Sequence, residues 1–117
     1  MSHLAARAVS ATVALFALFA IVLADPAAAQ DRFDRRMYIV NDSGRTIVYF
    51  HATNKGVRTW GRDLLGQSVI QPGDRWLFNF NDGTGYCVFD FRAVLDNGRA
   101  VERYGVNACE AVSWSVR

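Results

Sequence analysis

Histidine, cysteine and proline are scarce in this 117-residue chain, which contains two of each. His3 lies near the N-terminus, so His51 is the one histidine left for the rest of the chain. Nucleophilic catalysis needs a base beside the nucleophile, and zinc sites draw on several His and Cys ligands. No G-x-S-x-G motif surrounds a serine and no C-x-x-C pair occurs. The sequence therefore predicts no catalytic residue, no metal site and no cofactor.

A strong charge of either sign is also missing, because the formal net charge is +2. Proteins that bind nucleic acid or an anionic membrane surface usually concentrate basic residues in one patch or tail. No such run occurs here, so we predict no nucleic-acid partner.

A long hydrophobic run occurs only near the N-terminus, where residues 8–24 are almost entirely apolar. Arg7 precedes this run, and Ala27, Ala28 and Ala29 follow it. A basic residue, an apolar run and an A-x-A site are typical of a secretory signal peptide. We predict a signal peptide over 1–29, cleavage after Ala29, and a periplasmic or secreted protein without stable membrane insertion. A retained anchor is the alternative, since the run approaches the length that spans a bilayer.

No window after residue 30 shows the periodicity of an amphipathic helix, and alternation of period two begins at residue 37. Asn97-Gly98 between two alternating runs is a strong hairpin signal. We predict an all-β domain over 37–117, a small antiparallel β-sandwich or barrel-like fold of six to seven strands, preceded by a flexible charged leader over 30–36. The predicted strands are 37–41, 45–52, 68–70, 75–80, 86–95, 100–105 and 111–116.

The two cysteines, Cys87 and Cys109, both follow the predicted signal peptide. An even pair in an oxidising compartment predicts one disulfide. Such a bridge would constrain a small domain whose core is filled mainly by aromatic side chains.

The stretch WGRDLLGQ, residues 60–67, interrupts the strand pattern and allows two interpretations. It is either a binding loop in which Trp60, Arg62 and Asp63 recognise a ligand, or a structural cover over one end of the fold. In the second case Leu64 and Leu65 point inward with Trp60, and Asp63 accepts hydrogen bonds from backbone amides. We favour the structural cover and keep Trp60, Arg62 and Asp63 as the candidate binding residues.

Carboxylates in the loops suggest an alternative hypothesis, in which the protein is an enzyme and not a binding module. Asp63, or the loops that contain Asp82 and Asp96, would serve a small hydrolase or a metal-dependent enzyme. The Asn81-Asp82-Gly83 and Asp96-Asn97-Gly98 segments do not match the spacing of a calcium loop, and both are typical of turns.

Five segments together resemble a family of small exported bacterial β-rich proteins of unknown function, which share a W-G-x-D-L-L-G motif and two cysteines. The segments are VNDSGRTI (40–47), WGRDLLG (60–66), IQPGD (70–74), GYCVFDFRAVLDNG (85–98) and RYGVNACE (103–110). Members sometimes carry the labels argininosuccinate lyase or Tat pathway signal protein. We transfer neither, because that lyase is a large helical oligomer and the predicted signal peptide has no twin arginine.

The resemblance implies export and a disulfide-stapled β fold, and it supplies no catalytic residues. We therefore predict a non-enzymatic binding or envelope-associated accessory module. Its expected partner is an envelope protein or a glycan.

Overall fold

Six strands and no helix make up the part of the chain that the computed structural model describes, residues 31–117. The strands are β1 (Arg36–Asn41), β2 (Ile47–Asn54), β3 (Arg75–Asn79), β4 (Val88–Leu95), β5 (Ala100–Asn107) and β6 (Ser113–Val116). The predicted all-β fold is therefore confirmed. The short strand expected over 68–70 is reduced to one bridge between Ile70 and Ile47. The predicted signal peptide over 1–29 lies outside the described residues.

The strands form two three-stranded sheets. The first has the order β3-β1-β6 and the second has the order β2-β4-β5. Both pairs of the second sheet are antiparallel, as is β1 with β3, whereas β1 and β6 are parallel. The parallel pair differs from the antiparallel pattern that we predicted. β6 can run parallel to β1 because the chain reaches it from the second sheet by a crossover connection. No tight hairpin therefore forces the two strands to be antiparallel.

The two sheets pack face to face through aromatic rings. Phe50 of β2 lies 5.0 Å from Phe78 of β3, measured between ring centroids. Phe91 of β4 lies 5.7 Å from Trp114 of β6. Alternate residues of β4 are buried, which leaves the others on the outer face of the second sheet. This outer face carries the candidate site.

The segment between β2 and β3 covers the free edge of β2. The Leu64 amide donates to Phe50 O at 2.7 Å, and Ile47 and Ile70 exchange two backbone hydrogen bonds. The side chain of Asn41, which is fully buried, donates to the backbone oxygens of Arg45 and Ile70. A strand edge that would otherwise be open is thus paired by the chain's own loop.

The ordered domain begins before residue 37, where the flexible leader was expected to end. Arg36 belongs to β1, and the Arg35 side chain is only 2% exposed. The Arg35 guanidinium donates to Tyr86 O at 2.7 Å and to Gly85 O at 3.0 Å. Arginine is rarely buried without partners, and these carbonyls are supplied by a distant loop. No local sequence pattern predicts such a contact.

The predicted disulfide is confirmed between Cys87 and Cys109. It joins the residue just before β4 to the turn that follows β5, and the Ala108 amide donates to Cys87 O beside it. The bridge therefore fixes one end of the second sheet.

Candidate functional site

The loop that contains WGRDLLG is held to β2 by Asp63. Its Oδ1 accepts hydrogen bonds from the Phe50 amide at 2.8 Å and from the Leu65 amide at 3.1 Å. Leu65 is only 5% exposed and belongs to the core, and Leu64 packs against the core from its edge. This carboxylate and these leucines hold the loop against the sandwich, as the structural cover requires.

Trp60 does not point inward with the leucines, as the structural cover predicted. Its ring lies on the outer face of the second sheet, 6.1 Å from the ring of Tyr104. Gly61 separates it from the buried part of the loop and has a φ of 69°, a left-handed conformation that glycine adopts readily. The loop therefore places the half-buried Trp60 on the outer face of the second sheet, while Leu65 enters the core.

The three candidate binding residues do not form one site. Trp60 lines a groove on the outer face, whereas Arg62 is exposed in a separate depression beside Leu64 and Asp82. Asp63 is occupied by two backbone amides. Among the three candidate binding residues, the groove on the outer face therefore includes Trp60 and neither Arg62 nor Asp63.

The groove encloses ≈ 340 Å³ and joins the loop after β2 to the middle of β4 and β5. We call it the Trp60 groove. Trp60 and Tyr104 supply its aromatic surface, and Tyr104 is 62% exposed. Its full lining is Thr53, Val57, Arg58, Thr59, Trp60, Asp90 and Tyr104. Rings, hydroxyls, a guanidinium and a carboxylate thus meet at one open surface.

A scan against protein-family models, a search of curated proteins and a search of solved structures each found no match to the chain. The function of the Trp60 groove therefore rests on its own geometry.

A β-bulge in β5 sets the direction of Tyr104. Tyr104 and Gly105 together face the single residue Asp90 of β4, because the register shifts between Phe89 and Phe91. Asp90 Oδ1 accepts from the Gly105 amide at 2.9 Å, and Gly105 has a φ of 69°. Bulges of this kind re-aim a side chain without ending the strand. Here the bulge leaves the Tyr104 ring beside Trp60.

The Tyr104 phenol is held by the neighbouring carboxylate. Its Oη donates to Glu102 Oε1 at 2.5 Å. This hydrogen bond raises the pKa of Tyr104 above its ordinary value, with smaller contributions from burial and from the charges of Glu102 and Asp90. The phenol is therefore neutral at physiological pH and can donate its proton to the Glu102 carboxylate.

Arg92 of β4 lies beneath this arrangement. Its guanidinium carbon is 6.0 Å from the centroid of the Trp60 ring, at the outer limit of a cation–π contact. Its Nε lies 3.7 Å from Glu102 Oε2 and has no hydrogen-bond partner among residues 31–117. Trp60, Arg92, Glu102 and Tyr104 thus form a connected set on the outer face.

The carboxylates considered for a hydrolase are engaged separately. Asp82 accepts from Asn54 Nδ2 at 2.8 Å, and Asp96 pairs with Arg45 at 2.6 Å. Burial raises the pKa of Asp82, but hydrogen bonds from Thr84 and Asn54 outweigh this and lower it below its usual range. Asp82 precedes β4 and Asp96 follows it, so roughly 25 Å of strand separates them.

His51 and the acidic side chains do not form a metal-binding cluster within residues 31–117. His51 Nδ1 lies 3.1 Å from Arg62 O, so one ring nitrogen is occupied by the loop backbone. No group of three or more His, Cys, Asp or Glu side chains suited to a metal ion occurs within residues 31–117. That same part of the chain contains no helix long and apolar enough to cross a membrane.

Sequence reasoning missed most of the groove. Tyr104 and Asp90 were assigned to strands, and their role depends on the bulge that brings them beside Trp60. The one local signal is Gly105 within an alternating run, because a glycine inside a strand pattern often marks a bulge.

Proposed function

We propose that this protein is an exported β-sandwich module that binds a glycan in the Trp60 groove and performs no chemistry on it. The observation that carries the proposal is the pair formed by the half-buried Trp60 and the exposed Tyr104, which hydrogen-bonding side chains border.

The chemistry of the groove suits a sugar. One face of a pyranose ring presents C–H groups that pack on aromatic rings, and its edge presents hydroxyls that both donate and accept hydrogen bonds. Trp60 and Tyr104 provide rings with an apolar face. Arg58 provides donors, and Asp90 keeps acceptor capacity after its bond to the Gly105 amide. The apolar face of a sugar would thus pack on the two rings, and its hydroxyl groups would bond to Arg58 and Asp90.

The volume of the groove limits the size of the ligand that it can hold. A volume of ≈ 340 Å³ lies near the lower limit of ligand pockets, so the groove fits about one or two sugar units. The groove is open, which suits an internal unit of a longer chain. We expect weak binding by one module.

The expected location of the protein outside the cytoplasm supports a glycan ligand. A disulfide in a chain of this size is typical of proteins outside the cytoplasm, where envelope polysaccharides occur. The predicted signal peptide over 1–29 agrees with that location.

The test is an NMR titration of the protein with a panel of soluble bacterial polysaccharides and their oligosaccharides. We expect amide shifts around Trp60 and Tyr104. Trp60→Ala and Tyr104→Ala should each weaken binding at least about tenfold, since each removes one stacking ring. Dispersed spectra of both variants establish that the fold is retained.

Tyr49→Ala is the matched control, because Tyr49 is an exposed aromatic residue of β2 outside the groove. Its affinity should stay within about twofold of the parent. Absence of binding across the panel, or equal loss in the control, would refute the glycan-binding proposal. Release of new reducing ends during the titration would support the hydrolase instead.

A further inference from the structure

A second cleft lies on the side of the sandwich where strands β5 and β6 form the outer edges of their sheets. Within residues 31–117, β5 pairs only with β4 and β6 pairs only with β1. The cleft between the two edges encloses ≈ 470 Å³. An edge strand presents backbone N–H and C=O groups that are ready to pair with another extended chain.

The side chains of this cleft give it a positive charge. Arg103 and Arg117 line it together with Ser113 and Ser115, and no acidic residue is part of the lining. Arg103 pairs in register with the core residue Phe91, so its side chain is directed to the space between the sheets. The Arg99 guanidinium, which is not part of the lining, donates to Arg117 O at 3.3 Å.

A smaller part of the lining is apolar. Trp114 is almost fully buried and lies against Phe91, and Val106 and Ala111 line the cleft beside it. The cleft thus combines cationic and hydrogen-bonding groups with a few apolar ones. An extended chain shows its side chains alternately on two sides, so a chain of alternating acidic and small apolar residues can place all its carboxylates on the side of the arginines.

The edges of β5 and β6 leave room for one such chain beside either strand. A strand that pairs with an edge lies about 4.8 Å from it in the plane of that sheet. We propose that this cleft binds an extended acidic peptide segment of a partner protein, which adds as a strand and closes the open side. The proposal goes beyond glycan binding and does not rest on it.

The test uses a blocked hexapeptide of alternating glutamate and valine, titrated into the full mature protein and followed by amide shifts and hydrogen exchange. Shifts and slowed exchange are expected over 103–107 and 113–116. A lysine–valine peptide of the same length should bind at least about fivefold more weakly, because its charge opposes the arginines.

Arg103→Glu should weaken the glutamate peptide at least about fivefold and strengthen the lysine peptide, which separates charge recognition from a loss of folding. Arg62→Glu is the control, since Arg62 is an exposed arginine outside the cleft. Tyr104 is left unchanged because it borders both this cleft and the Trp60 groove.

Three results would overturn the proposal. They are equal binding of the two peptides, shifts confined to the other edge strand Arg75–Asn79, and no shift at millimolar peptide.

Discussion

Asp63 illustrates what one residue does in a small domain. A carboxylate beside Trp60 and Arg62 suggested either a ligand contact or a backbone acceptor, and the structure contains the second arrangement. The sequence favoured it because an Asp side chain in a turn readily accepts hydrogen bonds from nearby backbone amides, and the flanking glycines permit the bends. What the sequence did not reveal is the partner, since Phe50 lies thirteen positions earlier in another element.

Asp63→Ala should lower the free energy of unfolding by about 2 kcal/mol, because the Phe50 and Leu65 amides lose their acceptor. Asp63→Asn keeps one side-chain oxygen at this position and should cost about half as much. Urea unfolding followed by tryptophan fluorescence measures both variants. A stability equal to that of the parent protein would show that water replaces the carboxylate without loss.

At the scale of elements, alternation predicted the strands well and the connections poorly. The buried face of β4 and the Asn97-Gly98 hairpin follow from local pattern, and both occur in the structure. The bulge in β5 and the parallel partner of β1 do not, because each depends on a pairing between distant segments. The Trp60 groove is built on the bulge, which is why Trp60 is the one groove residue among the three candidate binding residues chosen from the sequence.

Gly105→Ala should destabilise the protein by about 1 kcal/mol and weaken glycan binding. A Cβ at this position has open space, so the cost arises from the positive φ alone. Gly105→Asn should recover part of both losses, because asparagine tolerates the left-handed conformation better. Thermal unfolding and the polysaccharide titration measure the two effects. Equal stability of the alanine variant would mean that β5 pairs without its bulge.

At the scale of the whole molecule, the disulfide was predictable and the ordered start of the domain was not. Two cysteines in the chain leave one intramolecular pairing, whereas the burial of Arg35 depends on the carbonyls of Gly85 and Tyr86. The disulfide and the Arg35 contacts act on the same region, since Cys87 follows Tyr86 directly. The segment that leads into β4 is therefore fixed from both sides.

Replacement of both cysteines by serine should lower the free energy of unfolding by roughly 3 kcal/mol, as expected for a bridge that spans 22 positions. Denaturant unfolding of the variant, and of the parent protein with and without reductant, measures the change. The reduced parent should match the variant. A loss below about 1 kcal/mol would place the main constraint on this end of the sheet in the Arg35 contacts.

The parallel pairing of β1 with β6 has a consequence for how the chain is made. Ile39 meets Trp114, so β1, the first of the six described strands to be synthesised, is completed by β6, the last of the six. Synthesis and any passage through a membrane channel proceed in one direction, and contacts this distant form slowly. Until residues 113–116 are released, the growing polypeptide leaves one side of β1 unpaired. A helper that shields this side during biogenesis would thus protect the fold, and loss of residues 113–116 would leave β3 as the one strand partner of β1 within residues 31–117.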